Sequence, residues 1–235
     1  IIELILSSEQ LRKRDLLERD AELARAVQRN LIPAAAPDIG SLEVALRYRP
    51  ASELGGDLFD CVRRADGRLV IGVADVSGKG TAAALVMAAA RMSVRGAAFR
   101  GSASDAASMM RRITEDLYDD LSNMSRFMTI FLGVIDPDLD QIVAANAGHS
   151  PVILAPVSEP ARLLEAEEPP IGVLPEYAKG NQIIPFALGD VIVVATDGFP
   201  EAACPEGDLF GYERMLALVD RMKWSDAEQI AEALI

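Results

Sequence analysis

Gly72-Val73-Ala74-Asp75-Val76-Ser77-Gly78-Lys79-Gly80-Thr81-Ala82-Ala83-Ala84-Leu85 is the stretch that decides the fold. An apolar, β-rich run from Leu69 ends on one carboxylate, Asp75. A glycine-bracketed turn follows, and then a helix of small residues. An acid at the end of a buried strand is costly unless a cation, a cluster of donors or water meets it. Two other stretches share that context: Gly55-Gly56-Asp57 upstream and Thr196-Asp197-Gly198 downstream. Glycine beside an acid lets the main chain come close to a ligand. Asp57, Asp75 and Asp197 are therefore read as converging on metal. Hard cations such as Mg²⁺ and Mn²⁺ take carboxylate, carbonyl and water oxygens. The Asp75-Val76 junction sets a carboxylate beside a main-chain carbonyl, which suits a two-metal cluster that activates water and neutralises a phosphoryl group. The competing reading is three ordinary turn aspartates, since Asp-Gly and Gly-Asp are common turn dipeptides.

The chain has 235 residues, half of them apolar, enough for one large domain or two small ones. Aliphatic residues dominate and aromatics are few, which suits an α/β or α+β core. A net charge of −13 argues against a general nucleic-acid binder. Phosphate chemistry stays open, because bound metals can supply the positive field. Cys61 and Cys204 are far apart and carry no partner pattern, so neither a disulfide framework nor a zinc site is expected. No apolar run reaches the roughly 18 residues of a membrane span, and no signal-peptide pattern opens the chain. A cytoplasmic protein with no membrane and no nucleic-acid partner is expected. The chain starts on Ile1 and stops inside a helical pattern, so it reads as part of something longer.

Residues 3–31 hold no Gly or Pro and read as one long helix, with apolar positions at Leu4, Leu11, Leu16, Leu23, Val27 and Leu31. Spacings of seven and four suggest a coiled-coil seam pairing with a second copy. The five-residue step from Leu11 to Leu16 breaks strict phase, and a helix lying on its own domain is the alternative. Pro33 and Pro37 end the helix and divide the chain into a linker helix, residues 1–33, and a domain, residues 34–235. Strands are expected at 42–50, Asp57–Arg63 and 68–76, the last two joined at an Asp66-Gly67 hairpin turn, with 51–56 as a turn. Helices follow at 81–100 and, capped by Ser104, at 105–121. Two successive helices after three strands do not fit a βαβ repeat; they fit helices layered on an antiparallel sheet. Further strands are expected at 127–135, Gln141–Ala147, 151–155, 162–164, 181–186 and 191–196, with a turn at Asp136-Pro137-Asp138, and helices at 213–222 and 226–234.

Lys79 between two glycines does not make a phosphate-binding P-loop: Gly80 follows it where Ser or Thr is needed, and position 73 is Val. His149 is the only histidine, and no Gly-x-Ser-x-Gly elbow exists. It reads as a loop histidine satisfying buried main-chain groups, with a proton donor near the site as the alternative.

Taken in order, these motifs resemble the bacterial sporulation and stress-response (RsbU-like, SpoIIE-type) branch of the metal-dependent PPM, or type 2C, serine/threonine phosphatases. The matching stretches include Ala26-Val27-Gln28-Arg29-Asn30-Leu31-Ile32-Pro33, Tyr48-Arg49-Pro50-Ala51, Gly55-Gly56-Asp57-Leu58-Phe59-Asp60, Ala74-Asp75-Val76-Ser77-Gly78-Lys79-Gly80, Asn146-Ala147-Gly148-His149-Ser150-Pro151 and Thr196-Asp197-Gly198-Phe199-Pro200-Glu201-Ala202. The resemblance implies an α+β fold, an α-β-β-α sandwich of two antiparallel sheets flanked by helices. It implies removal of phosphate from phosphoserine or phosphothreonine on a protein, of the anti-sigma-factor-antagonist type. Asp75 would bridge two Mn²⁺ or Mg²⁺ ions; Asp57 and the Val76 carbonyl would help hold one, Asp197 the other, and a metal-bridging hydroxide would attack phosphorus. The turn Gly78-Lys79-Gly80 would join the metal site to regulatory helices. The first helix resembles a linker to an upstream sensor domain, which often dimerises. Two departures stand out. Ala74 replaces the family's usual Gly, and the family's final Asp-Asp motif would fall beyond Ile235. A pseudophosphatase, or a partner-binding dimerisation module without catalysis, is the alternative function.

Overall fold

The computed structural model describes residues 2–40, 42–49, 54–100, 105–136, 140–204 and 207–235. From α1 (Ile2–Leu31) the chain enters a hairpin of β1 (Asp57–Arg63) and β2 (Leu69–Val76). Two helices follow, α2 (Gly80–Arg100) and α3 (Ala106–Asn123). Then come β3 (Met128–Ile135), β4 (Gln141–Ala147), β5 (Val152–Ala155), β6 (Arg162–Leu163), β7 (Gln182–Pro185) and β8 (Val191–Val194), and last α4 (Gly211–Met222) and α5 (Ala227–Leu234).

The strands form two antiparallel sheets, one ordered β1-β2-β3-β4-β7 and one ordered β6-β5-β8. Period-two alternation gives the larger sheet two buried faces. On one face Leu58, Ile130 and Leu132 pack with Met87 of α2 and with Met110 and Ile113 of α3. On the other, Leu69, Phe131 and Ile142 meet Val152, Leu154 and Ile192 of the smaller sheet. The far side of the smaller sheet, at Ile153 and Ala155, is covered by Met215, Val219 and Leu234 of α4 and α5. The order is helix, sheet, sheet, helix, as expected. Each fully buried Leu, Ile or Phe in these layers contributes about 2 kcal/mol of apolar transfer.

Local signals place the helix ends. Asp105 accepts from Ser108 N at 2.9 Å and caps α3, so the cap falls on the acid rather than on Ser104. Asp226 caps α5 in the same way, accepting from Gln229 N at 2.8 Å. On length and composition alone, α2 could cross a bilayer. Its Ala83, Ala84, Met87, Ala90, Val94, Ala97 and Ala98 are buried instead, in the outer helical layer of the sandwich.

The strand expected at 42–50 is a correction. Residues 43–49 join no ladder, and the one pairing nearby is an isolated bridge between Ile39 and Leu42. Its alternation has another cause: Leu42 and Val44 face the inter-sheet core from an extended segment that no strand pairs. That segment is held to α5, where Arg47 pairs with Glu228 and Glu43 accepts from Ala227 N. Ser104, Pro137, Asp138, Pro50, residues 51–53 and the Leu4 side chain, which carried other expectations, lie outside the described residues.

Candidate functional site

Antiparallel pairing of β1 with β2 sets Asp57 directly opposite Asp75 at one end of the larger sheet. Residues directly opposite on one face stand side by side. Here each of the two carboxyls shifts the ionisation of the other. Both are half-buried. Burial pushes Asp57 above its ordinary range, Asp197 pushes it further, and the Thr196 hydroxyl opposes this by hydrogen bonding. Burial pushes Asp75 to about 7, with the charges of Asp57, Asp197 and Glu201 adding to the shift. Among the described residues, no lysine or arginine forms an ion pair with Asp57, Asp75 or Asp197. The charges of Asp57, Asp197 and Glu201 thus all bear on Asp75.

Asp57 and Asp75 come together. Asp197, just past β8 and exposed, acts on both through its charge but does not join them. Among the described residues no three His, Cys, Asp or Glu side chains are gathered tightly enough to close a metal site unaided. The Val76 main chain is packed against the pair. Val76 N donates to Gly56 O at 3.3 Å. A Cβ on Gly56 would lie 2.2 Å from Val76 O and 3.0 Å from Asp75 Oδ1. Only glycine lets the loop before Asp57 lie this close to the Asp75-Val76 junction.

The turn after β2 is fastened from the start of β3. Ser77 N donates to Phe127 O at 2.9 Å, Phe127 N donates to Ser77 Oγ at 3.0 Å, and Arg126 donates to Ser77 O. Gly78 has φ +100°, and a Cβ there would strike the Arg126 guanidinium. Lys79 is exposed, and α2 starts at Gly80, one residue earlier than expected.

Beneath the acids, Thr129 pairs with Asp75 across β2 and β3, and its hydroxyl shares a hydrogen bond with His149 Nδ1 at 3.0 Å. His149 is fully buried, and burial pulls it down to about 4, so near neutral pH the ring is uncharged. Its main chain is bracketed by the Asn146 amide, N to Oδ1 at 2.8 Å and Nδ2 to O at 2.9 Å. These contacts favour a histidine that steadies Thr129 over one that delivers protons.

Two residues that face the site had no role assigned from the sequence, although both lie in quoted motifs. The Tyr48 hydroxyl is shut off from solvent with no hydrogen-bond partner among the described residues, and burial, with Asp57 and Asp75 adding, pushes it up to about 12. Gln28, on α1, grips Gly55. A lone Gln in an amphipathic helix and a Tyr in an extended segment carry no local pattern that separates a site residue from a packing one. The signal that would have found them is burial.

A family model described as Stage II sporulation protein E (SpoIIE) matches residues 65–235, a span holding Asp75 and Asp197 but starting after Asp57. Phosphoserine phosphatase RsbU of Bacillus subtilis is 27% identical over 195 residues, 82% of this chain and 57% of that protein. The chain spans between 35% and 57% of the length of the curated relatives it matches. Among solved structures, the SiaA-PP2C domain of Pseudomonas aeruginosa superposes with a TM-score of 0.81 at 24% identity, covering 94% of this chain and 89% of that one. RsbX in complex with magnesium superposes with a TM-score of 0.58 at 20% identity, covering 77% and 79%. With the four-layer sandwich and the paired acids at its end, these matches establish that the chain belongs to the SpoIIE family and carries a PP2C-type phosphatase fold.

Proposed function

We propose that this chain is a divalent-metal-dependent protein serine/threonine phosphatase domain. The observation that carries the reading is the Asp57–Asp75 pair: two facing carboxyls, both pushed toward protonation, with no ion-pair partner among the described residues. Burial and like charge oppose the doubly ionised pair, and a cation joining the two carboxylates would favour it. The donor set is carboxylate and carbonyl oxygen, which hard divalent ions take. Asp75 would bridge two Mn²⁺ or Mg²⁺ ions, Asp57 and the Val76 carbonyl holding one and Asp197 the other. When bound, such a pair of ions lowers the pKa of water and neutralises charge on a phosphoryl group.

The residues of the chain do the rest. Asp75, fixed at the end of β2, sets the centre of the site. Gly56 keeps the loop tight against Val76 so that Asp57 reaches the same point. The turn at Gly78-Lys79-Gly80 ties this centre to α2. The substrate would be a phosphoserine or phosphothreonine on a regulatory protein of the anti-sigma-factor-antagonist type, in the cytoplasm. The names of the phosphoserine phosphatases RsbU and RsbP among the relatives support that class. An upstream sensor domain would act through residues 1–33. Leu11, Leu16, Leu23 and Val27, each more than half exposed along α1, offer a seam for a second copy.

The assay is phosphate release from a phosphoserine protein with Mn²⁺, run beside chelator and beside Asp75→Asn. Release that stops under both supports the proposal, and release that survives both overturns it. The position of Asp197, outside the pair, favours a second reading, a partner-binding domain that catalyses nothing. Binding of the phosphoprotein without any Mn²⁺-dependent release would select it.

A further inference from the structure

We propose that Gln28 is a positioning residue for the acidic end of β1: its side-chain amide, reaching in from α1, holds the main chain of Gly55 and so fixes where Asp57 stands. Gln28 Nε2 donates to Gly55 O at 2.7 Å, and Gly55 N approaches Gln28 Oε1 at 3.4 Å. One carboxamide therefore faces both the acceptor and the donor of a single residue, 27 positions away in sequence.

Several features separate this from ordinary helix docking. Gln28 is only 5% exposed, while its neighbour Val27 is 59% exposed. The helix thus turns a polar side chain inward and leaves an apolar one outside. Burying an amide is unfavourable unless its groups are bonded, and an apolar side chain would pack α1 without that cost. A carboxamide brings a donor and an acceptor on one plane, which matches a peptide group. The residue it grips is also placed to matter. Gly55 is followed by Gly56, pinned on its other side by Val76, and then by Asp57. The two residues leading into Asp57 are thus held between α1 and the end of β2. The Tyr48 hydroxyl closes the remaining side, 3.3 Å from where a Gly55 Cβ would stand. Asp75 takes its position from the sheet; Asp57 takes part of its position from a helix outside the sheet.

The inference rests on the metal reading above. Its test is Mn²⁺ binding by calorimetry, with phosphatase kinetics beside it, on wild type, Gln28→Leu and Asn30→Ala. Gln28→Leu keeps side-chain bulk and removes both contacts. Asn30, exposed and bonded within its own helix to Ala26 O, is the control. We expect Gln28→Leu to weaken Mn²⁺ binding about tenfold, the scale seen when a partner that orients a metal ligand is lost. Raising Mn²⁺ should restore kcat, with KM for a phosphoserine peptide unchanged, and Asn30→Ala should match wild type. A purely structural Gln28 would lower the melting temperature and leave Mn²⁺ affinity alone. Affinity within twofold of wild type in folded Gln28→Leu overturns this inference by itself. A wild-type protein that binds no Mn²⁺ overturns the metal reading and this inference with it. If Gln28→Leu does not fold, Gln28→Glu, which accepts but does not donate when ionised, takes its place with the same expected direction. Unchanged affinity there also overturns the inference.

Discussion

Asp57 and Asp60 lie three residues apart on β1 and meet opposite fates. Asp60 is 3% exposed and faces the helical layer. Arg91 of α2 reaches it at 3.2 Å and Arg95 at 2.8 and 3.0 Å, and Cys61 N donates to it at 2.9 Å. Asp57 points into the end of the cleft between the sheets, where it meets Asp75 instead of a cation. One strand thus carries an acid that the fold has neutralised and an acid that the fold has left for something else. The first ties α2 to the sheet. The second costs stability until a positive charge arrives. The phase of a strand decides which is which, since successive residues point to opposite faces.

Four experiments would break or sharpen that contrast. Asp75→Asn should reduce phosphate release by about a thousandfold, since the metals' transition-state stabilisation amounts to several kcal/mol, and should not lower the stability of the metal-free protein. A less stable Asp75→Asn would put Asp75 in the same class as Asp60. Asp60→Asn should do the reverse. Removing one partner of a buried ion pair leaves Arg91 and Arg95 uncompensated and costs about 3 kcal/mol, visible in a denaturant titration, while each folded molecule keeps its activity.

The third experiment is pH. The folded protein holds the Asp75 proton up to about 7, against an ordinary 3.8 for the unfolded chain. Between those values the folded state binds more protons than the unfolded one, so the contribution to stability falls as pH rises. Metal-free wild type should therefore lose stability from about pH 4 to about pH 7 in denaturant titrations, with the slope reduced in metal-free Asp75→Asn. The smallest effect is expected from Thr129→Val, which removes the His149 hydrogen bond. It should cost about 1 kcal/mol in thermal unfolding and leave activity within a few-fold.

Much of the architecture was legible because it is written in local signals. The Asp66-Gly67 turn between two apolar runs marks the β1–β2 hairpin, and the break from period two to a small-residue helix after Gly80 marks the change of layer. Where the sequence misled, at residues 42–50, the alternation was real but recorded burial rather than pairing. Periodicity reports which side of an extended chain is wet, and says nothing of whether a ladder partner exists. The acids of the site stood out because glycine adjoins Asp57 and Asp197, and because an apolar strand leading into a glycine-bracketed turn carries Asp75. Their register did not: that Asp57 faces Asp75 follows from the pairing, and a slip of one residue would separate them. Asp60 also lacked any signal, because Arg91 and Arg95 lie on a helix that only the tertiary fold lays across β1. Gln28 and Tyr48 were missed for the same reason.

The clasp between the 43–49 segment and α5 bears on how the protein assembles. Arg47 and Glu228 are 181 residues apart in sequence, and Glu43 and Ala227 are 184 apart. Contacts that close such long loops slow folding and form late. Tyr48 shares that segment and packs edge-on against Phe59 of β1, so the clasp to α5 is a second tether on the chain that carries it. During translation neither contact of the clasp can form until α5 has emerged, whereas the two strands that bear Asp57 and Asp75 are separated by a short turn.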